Sequence, residues 1–388
     1  MTAIRSLTTR LQQVPLTRPW AADVTSVGVI ATHVVRSDGA EGWGFSWSPQ
    51  IGAPAVKALL EHDIAPAAVG RSANPGESWQ GLWEHLHEAG GGGVTTIALA
   101  GLDLALWDAE ARSAGGTVSG LLGRHRERVR AYGSGVNLHY PLEELLAQVQ
   151  RWIDSGFTAV KIKVGKPDLA EDLDRVAAVR ELLGPDRSLM IDANQRWDLA
   201  RATTSVEALS RFDLAWIEEP LRADDLDGHT ELAQRIEVPI ALGENLHTVH
   251  RFGDFLRAGA AQIVQPNIVR VGGITPFLRI AELAASHGAA LHPHLLPELS
   301  GQLALTLPDT AAEVLVEDVE DAGFGALGAL VEPSPVTIAR GWLTENAHDG
   351  LGIRFSPLLD APALDDATAR ADDPLLDIPA FIAGKDPS

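Results

Sequence analysis

"GFTAVKIKVG" spans residues 156–165. Val160, Ile162 and Val164 alternate with Lys161 and Lys163, the period-two pattern of a β-strand with β-branched residues on one face. Both lysines therefore project from the other face. A glycine lies at each end, and helix-like stretches precede and follow. This is the pattern of a buried strand in an α/β chain. A buried strand that aims two ammonium groups one way needs a reason, and the neighbouring strands supply it.

From about residue 130 the chain repeats strand, loop and helix. Candidate strands end near 134, 163, 192, 218, 244, 265, 294 and 317. Amphipathic helices fall near 142–155, 169–183, 199–211, 229–235, 248–258, 273–287 and 298–306. Eight strands alternating with helices predict a (β/α)8-type TIM barrel with its last helix shortened. An open doubly wound sheet would want a glycine-rich first turn, which is absent.

The barrel is assigned residues 126–330. Residues 1–125 have a different texture and are read as an α+β capping domain. "VTSVGVIATHVVRSDGAEGWGFSW" (24–47) reads as strand, Asp38-Gly39 turn, strand. Helices follow near 52–65, 76–88 and 94–113, the last apolar on most faces. The four glycines at 90–93 lack the spacing of a phosphate-binding fingerprint and are read as a flexible joint. Residues 331–388 are expected to return to the capping domain, with "GLGIRFSP" (350–357) as a strand. The tail 357–388, rich in Ala, Asp and Pro, is expected to be loosely ordered.

Composition narrows the function. With 388 residues and 45% apolar side chains, a large core is available. Acidic residues outnumber basic ones 52 to 31, a net charge of −21, which argues against nucleic acid or anionic membrane as a partner. An anionic substrate would need local positive charge. There is no cysteine, hence no disulfide or thiol chemistry. Residues 1–20 lack a signal-peptide core and no apolar run spans a bilayer, so a soluble, cytoplasmic protein is expected.

In a barrel, chemistry gathers at the C-terminal strand ends. "SLMIDANQRW" ends its strand in Asp192, "LAWIEEP" in Glu218 and Glu219, and "PIALGEN" in Glu244. Asp192, Glu218 and Glu244 are each 26 residues apart, one strand–helix unit. Adjacent strands lie about 4.8 Å apart, so the three carboxylates can converge. Clustered anions raise one another's pKa unless a cation neutralises them. An all-oxygen set favours a hard divalent ion, Mg²⁺ before Mn²⁺. Glu219 is an alternative to Glu218; the turn at Pro220 favours Glu218 as the end of the alternating strand. Farther on, "QIVQPNIVRVGG" places Asn267 and Arg270 after strand six, "AALHPHLLPELS" places His292 and His294 on strand seven, and "AEVLVEDVE" places Glu317 on strand eight.

Together these motifs, with "GLDLALWDAEARSAGGTVSGLLG" (101–123) before the barrel, give a sequence that resembles the enolase superfamily in its mandelate racemase and muconate lactonizing enzyme branch. The resemblance implies Mg²⁺-dependent removal of a proton α to a carboxylate through an enediolate, with a Lys or His base, as this superfamily is known for. It makes Lys163 the general base and Lys161 the group that polarises the substrate carboxylate. One lysine's charge, with partial burial, is expected to lower the pKa of the other. The resemblance also gives Glu317 a hydrogen bond to the carboxylate, Asn194 a substrate contact, and His294 the strand-seven role. Arg18, Trp20 and Trp47 would close over the far end of the substrate. It further suggests a homo-oligomer acting on a small carboxylate.

Two positions depart from the family pattern. The aspartate that pairs with the strand-seven histidine is Asn267 here, whose oxygen can orient an imidazole N–H without adding charge. The second lysine base is Arg270, which does not release a proton at neutral pH. One base, Lys163, and one acid, His294, suit dehydration of an acid sugar to a 2-keto acid better than two-base racemisation. "GENLH" (243–247) also resembles the matching segment of some acid-sugar dehydratases. The alternatives are a racemase, epimerase or sugar-lactone cycloisomerase on the same enediolate, and beyond these a non-catalytic sugar-acid binder.

Overall fold

The computed structural model describes residues 2–20, 24–48, 51–308 and 313–355. The chain opens with an antiparallel sheet of β1 (Ile4–Pro15), β2 (Ser26–Arg36) and β3 (Glu41–Ser48), in that spatial order. β2 and β3 form the expected hairpin, with Gly39 at φ 89° in its turn. β1 has no counterpart in the sequence reading. Its serine, threonines, arginines and glutamines hide the alternation that exposes most strands.

α1 (Ala53–Leu59), a single π-helical turn (Leu60–Ile64) and α2 (Ala65–Ala68) form one irregular helix. Pro66 sits in α2 and cannot donate the usual backbone hydrogen bond, which accounts for the disturbed turn before it. α3 (Pro75–His85) starts at Asn74, whose side chain accepts from Glu77 N. The glycine run folds into a defined turn, not a loose joint: Thr95 Oγ1 donates to Gly90 O and accepts from Gly92 N. α4 (Val94–Ser113) then runs across the sheet. Its closest approach is at Gly42 and Gly44 of β3, where the helix backbone leaves no space for a side chain. α5 (Val118–Leu122) leads to the barrel.

Eight strands run parallel around the barrel: β4 (Arg128–Ser134), β5 (Ala159–Lys163), β6 (Ser188–Asp192), β7 (Leu214–Glu218), β8 (Ile240–Leu242), β9 (Ile263–Val264), β10 (Ala290–Leu291) and β11 (Leu315–Val319). Between them lie α6 (Leu142–Asp154), α7 (Leu169–Leu183), α8 (Leu199–Leu209), α9 (Leu226–Arg235), α10 (Val249–Arg257), α11 (Ile268–Val271), α12 (Ile274–Ser286) and α13 (Pro297–Ala304). β11 pairs with β4. Among the described residues no ladder joins β10 to β11. Leu315 N instead donates to His292 Nδ1 across that seam at 3.1 Å. Turns rather than a shortened helix follow β11.

A hairpin of β12 (Val336–Ala339) and β13 (Trp342–Glu345), which the sequence reading missed, pairs antiparallel with the start of β4. Residues 350–355, expected to form a strand, instead make isolated contacts with the first sheet and α4. Leu351 N donates to Asp108 of α4, and Phe355 packs edge-on against Phe45 of β3. Residues 357–388, expected to be loosely ordered, lie outside the described residues. Where cap meets barrel, Asp103 of α4 accepts from Thr275 N and Thr275 Oγ1 at the start of α12, and Trp79 Nε1 donates to Gly272 O.

Register positions the site. Lys163 of β5 lies beside Asp192 of β6, which lies beside Glu218 of β7. Lys161 is level with Met190, two residues deeper. Val160, Ile162, Leu189 and Ile191 belong to the apolar layer beneath the helices, so the lysines face the barrel axis.

The contact of α4 with β3 yields a prediction. A Cβ on Gly44 would lie 2.3 Å from Gly101 O and 2.4 Å from Ala105 N, helix backbone that cannot rotate aside. Gly44→Ala is expected to destabilise by about 1–3 kcal/mol, as overpacking does. Gly81→Ala, inside α3 with nothing within 4 Å of its added Cβ, should stabilise by roughly 0.5–1 kcal/mol. Urea unfolding of the two variants checks the contrast; equal midpoints would refute it.

Candidate active site

Five carboxylates and three basic groups meet at the C-terminal mouth of the barrel. Lys161 Nζ donates to both oxygens of Glu218, at 2.8 and 2.7 Å, and lies 2.7 Å from Glu317 Oε1. It is 3.9 Å from Asp192. Lys163 Nζ lies 2.5 Å from Asp192 Oδ2. His294 Nε2 is 2.5 Å from Glu244 Oε2 and 3.4 Å from Glu317 Oε2. Glu219 lies on the side of Glu244, accepting from Asn245 and Gln195. Glu218 and not Glu219 faces Lys161, following the strand alternation.

Several supporting groups were not legible as site residues. Gln265 Nε2 donates to Glu218 at 2.7 Å, and Ser134 Oγ donates to Glu317 at 2.7 Å. Asn137 Oδ1 accepts the backbone N–H of Lys163. Gln265 alone carried a signal, a polar residue between the apolar end of β9 and Pro266.

The lysines overturn an expectation. Burial pushes both amines down, as anticipated, and Lys161 adds to that effect on Lys163. The carboxylates outweigh both terms: Glu218 and Glu317 hold the Lys161 pKa well above normal, and Asp192 with Glu244 raises that of Lys163. The acids respond unequally. Burial and the neighbouring anions Asp192 and Glu317 lift Glu218 to about 7 despite Lys161. Glu317 resists burial because Lys161, His294 and Lys163 pull it down to about 2. Both share Lys161, but Glu317 also has His294 beside it and the N–H of Leu295. Burial and Glu244 push Glu219 well above the carboxylate range, and His294 overcomes burial to hold Glu244 well below it.

The two histidines separate clearly. His292 is buried beneath the mouth, stacked on Trp216 at 5.3 Å, and burial lowers its pKa to about 4. A neutral ring suits it as the acceptor that closes the seam. His294 lies past the end of β10 and reaches the carboxylates. Burial disfavours its charge, but Glu244 and Glu317 raise its pKa overall. Asn267 Oδ1 accepts from Arg270 N at the start of α11, so its amide nitrogen faces His294 Nδ1 at 3.1 Å. The sequence reading had the Asn oxygen facing a ring N–H. The contact is reversed because the oxygen caps the helix. In the neutral ring this contact makes Nδ1 the acceptor and leaves the N–H on Nε2, toward Glu244; the imidazolium carries a proton on both nitrogens. Arg270 points back at Asn245 and the Glu244 carbonyl.

Above Lys163 opens a cavity of about 1210 Å³. Asn194, Arg18 and Trp20 line it. Trp47 does not: it is buried behind Trp20, with the rings edge-on at 6.3 Å. Of the eight described non-glycine residues with positive φ, five stand at the mouth: Asn194, Gln195, Glu219, Leu295 and Leu296. Asn194 N, turned by this conformation, donates to Asp192 Oδ1.

The donor set suits a hard cation. Ligand atoms of Glu218, Glu244 and His294 all lie within 4.8 Å of one another. Asp192 stands beside Glu218 in the adjacent strand. Crowded, buried carboxylates that drive Glu218 toward neutrality call for positive charge.

The chain is similar to known proteins. Residues 4–123 match the family model described as mandelate racemase/muconate lactonizing enzyme, N-terminal domain, and residues 144–358 that described as enolase C-terminal domain-like. An L-talarate/galactarate dehydratase of Salmonella typhimurium is 39% identical over 292 residues, 74% of this chain and 72% of the relative. A 3,6-anhydro-α-L-galactonate cycloisomerase of Streptomyces coelicolor is 37% identical over 310 residues, 80% of this chain and 84% of the relative. The structure of L-talarate dehydratase from Polaromonas sp. JS666, complexed with Mg and L-glucarate, superposes with a TM-score of 0.83 at 36% identity, covering 93% of this chain and 97% of that one. By the match of both halves and the likeness of the whole fold, this chain belongs to the mandelate racemase/muconate lactonizing enzyme branch of the enolase superfamily.

Proposed function

We propose that this chain is a Mg²⁺-dependent lyase that dehydrates an acid sugar to a 2-keto acid. The observation that carries the reading is the pairing of one amine and one imidazole at different strand ends around a single carboxylate cluster. Lys163 faces the cavity and is the base that takes the α-proton. His294, as the imidazolium that Glu244 and Glu317 favour, is the acid that gives the Nε2 proton to the departing β-hydroxyl and is left as the neutral ring. Lys161, fixed between Glu218 and Glu317, supplies positive charge as the substrate carboxylate gains electron density. Asn267 and Arg270, where two-base relatives would carry Asp and Lys, favour one base and one acid. The cycloisomerase relative supports a second reading, in which the same proton removal by Lys163 is followed by ring opening or closure. A non-catalytic sugar-acid binder would leave Lys163 without a task.

Asp192, Glu218 and Glu244 would hold the ion, because Mg²⁺ prefers oxygen donors and His294 is engaged with Glu244. When bound, Mg²⁺ supplies the charge that neutralises these carboxylates and stabilises the substrate's developing anion. The alternative set, Glu218, Glu244 and His294, makes a different prediction. Asp192→Asn and Glu244→Gln should each weaken Mg²⁺ binding by about 100-fold or more, beyond the effect of most supporting residues, whereas His294→Asn should bind it nearly as the parent does. Calorimetry decides; loss of binding in His294→Asn with retention in Asp192→Asn would reverse the assignment.

Proton removal can be followed apart from turnover. In D₂O, Lys163→Ala should lose both α-proton exchange and 2-keto acid formation, by at least the 10²–10⁴-fold or so attributed to a general base. His294→Asn should stop dehydration yet still exchange. Exchange that persists without Lys163 and vanishes without His294 would place the base on the other face.

Asn267→Asp can still cap α11, but it offers His294 Nδ1 an acceptor in place of a donor. The ring proton then moves to Nδ1 and Nε2 becomes a base. The variant is expected to wash solvent deuterium into the epimeric substrate and to yield slow epimerisation, read by NMR. An absence of both, at an undiminished dehydration rate, would show that Nδ1 does not govern the role of His294.

A further inference from the structure

The cavity above Lys163 carries more positive charge than proton abstraction requires. Besides Lys163 it is lined by the cations Arg18, Lys166, Arg196 and Arg201 and by His139, whose pKa burial and Arg18 lower, and among the described residues no Asp or Glu lines it. On a chain with a net charge of −21, such a surface is not a sample of the average composition. The charges differ in how far they are already satisfied. Arg18 pairs with Glu144 and lies 3.8 Å from the centre of the Tyr140 ring. Arg201 reaches the carbonyls of Lys166 and Pro167 at 3.4 and 3.3 Å. Lys166 is 3.7 Å from Glu171, a loose and half-exposed pair. Among the described residues the Arg196 side chain has no hydrogen-bond or ion-pair partner, and it is exposed to the cavity.

The position of Arg196 is nevertheless built. Gly165, at φ 103°, ends the β5 segment two residues after Lys163, and a Cβ there would sit 2.8 Å from Arg196 Cδ. The missing side chain lets the arginine stem lie against the backbone next to the base. Lys166 follows directly. The reacting carboxylate belongs with Lys161 and the acidic cluster, so it cannot also satisfy this second group of cations.

Resting on the acid-sugar reading above, we propose that the substrate bears a second anionic group at the end remote from the reacting carboxylate, and that Arg196, assisted by Lys166, binds it. A carboxylate makes the substrate an aldarate; a terminal phosphate makes it a phosphorylated aldonate. Arg suits either, since its fork donates two parallel hydrogen bonds to a planar or tetrahedral oxyanion. A charged hydrogen bond of this kind is worth roughly 10- to 100-fold in affinity.

The test compares galactarate and glucarate, galactonate and gluconate, and 6-phosphogluconate on the Mg²⁺-loaded chain, as kcat/KM and as ligand-induced shifts in melting temperature. The doubly anionic compounds should exceed the singly anionic ones by about 10- to 100-fold. Arg196→Met should bring that ratio to within about threefold, and Arg196→Lys, which keeps the charge but not the fork, should retain part of it. Preference for 6-phosphogluconate over glucarate identifies phosphate as the second anion, and the opposite order identifies carboxylate. Equal use of one-anion and two-anion sugars, or a ratio unchanged in Arg196→Met, overturns the proposal while leaving dehydration intact. If no sugar is turned over, the lyase reading fails instead. The melting shifts then decide separately: a dianion-selective shift lost in Arg196→Met upholds the second anion site, and equal shifts remove it.

Discussion

Repulsion among buried carboxylates is the constraint around which this molecule is organised. Asp192, Glu218, Glu219, Glu244 and Glu317 share one small volume at the barrel mouth, mostly out of water. Two unit charges 4 Å apart interact by about 4 kcal/mol at an effective dielectric constant of 20. A few such repulsions would match the roughly 5–15 kcal/mol by which a folded domain is stable. Lys161 answers this by touching two acids at once. Its backbone is level with Met190 and Trp216, two residues below Glu218, and through β4 it is level with Val319, two residues above Glu317. Lys163 and His294 share the remaining charge. The same arrangement makes the cluster receptive to a divalent ion and to an anionic substrate, because every added positive charge relieves it.

The barrel was legible because its strand ends are abrupt. β4, β5, β6 and β7 end at the residues anticipated, each at the last member of an alternating run. β8, β9 and β10 stop one to three residues early. Gly243 takes φ 140°, and Pro266 and Pro293 have no N–H to donate, so the chain leaves the ladder before the polar residues arrive. β1 and the β12–β13 hairpin were illegible for another reason. Their polar residues obscure the apolar alternation, and their place is set by partners distant in sequence.

The meeting place of the charged side chains was readable, their electrostatics less so. Lys161, Lys163, Asp192, Glu218, Glu244, His294 and Glu317 do converge in the structure. The direction of the lysine shifts could not be read from two adjacent ammonium groups, since it depends on how many carboxylates each one touches. The orientation of Asn267 depended on a helix cap four residues long. Trp47 was grouped with Trp20 by type, yet the fold sets one behind the other. Arg196 escaped notice because "NQRW" is a polar loop without periodicity, and its meaning comes from Gly165, thirty-one positions earlier.

The left-handed residues around the mouth carry a cost. An ordinary L-residue in that region gives up about 1–2 kcal/mol. Five of them, at Asn194, Gln195, Glu219, Leu295 and Leu296, amount to a sizeable share of a domain's net stability. The barrel body must underwrite that outlay with its core. Stability and reactivity therefore pull in opposite directions at these five positions. Glycine would relieve the torsion and give the rim back its freedom, and the neighbouring side chains would lose their fixed aim. Evolution toward a hardier protein has its cheapest gains where the chemistry can least tolerate them.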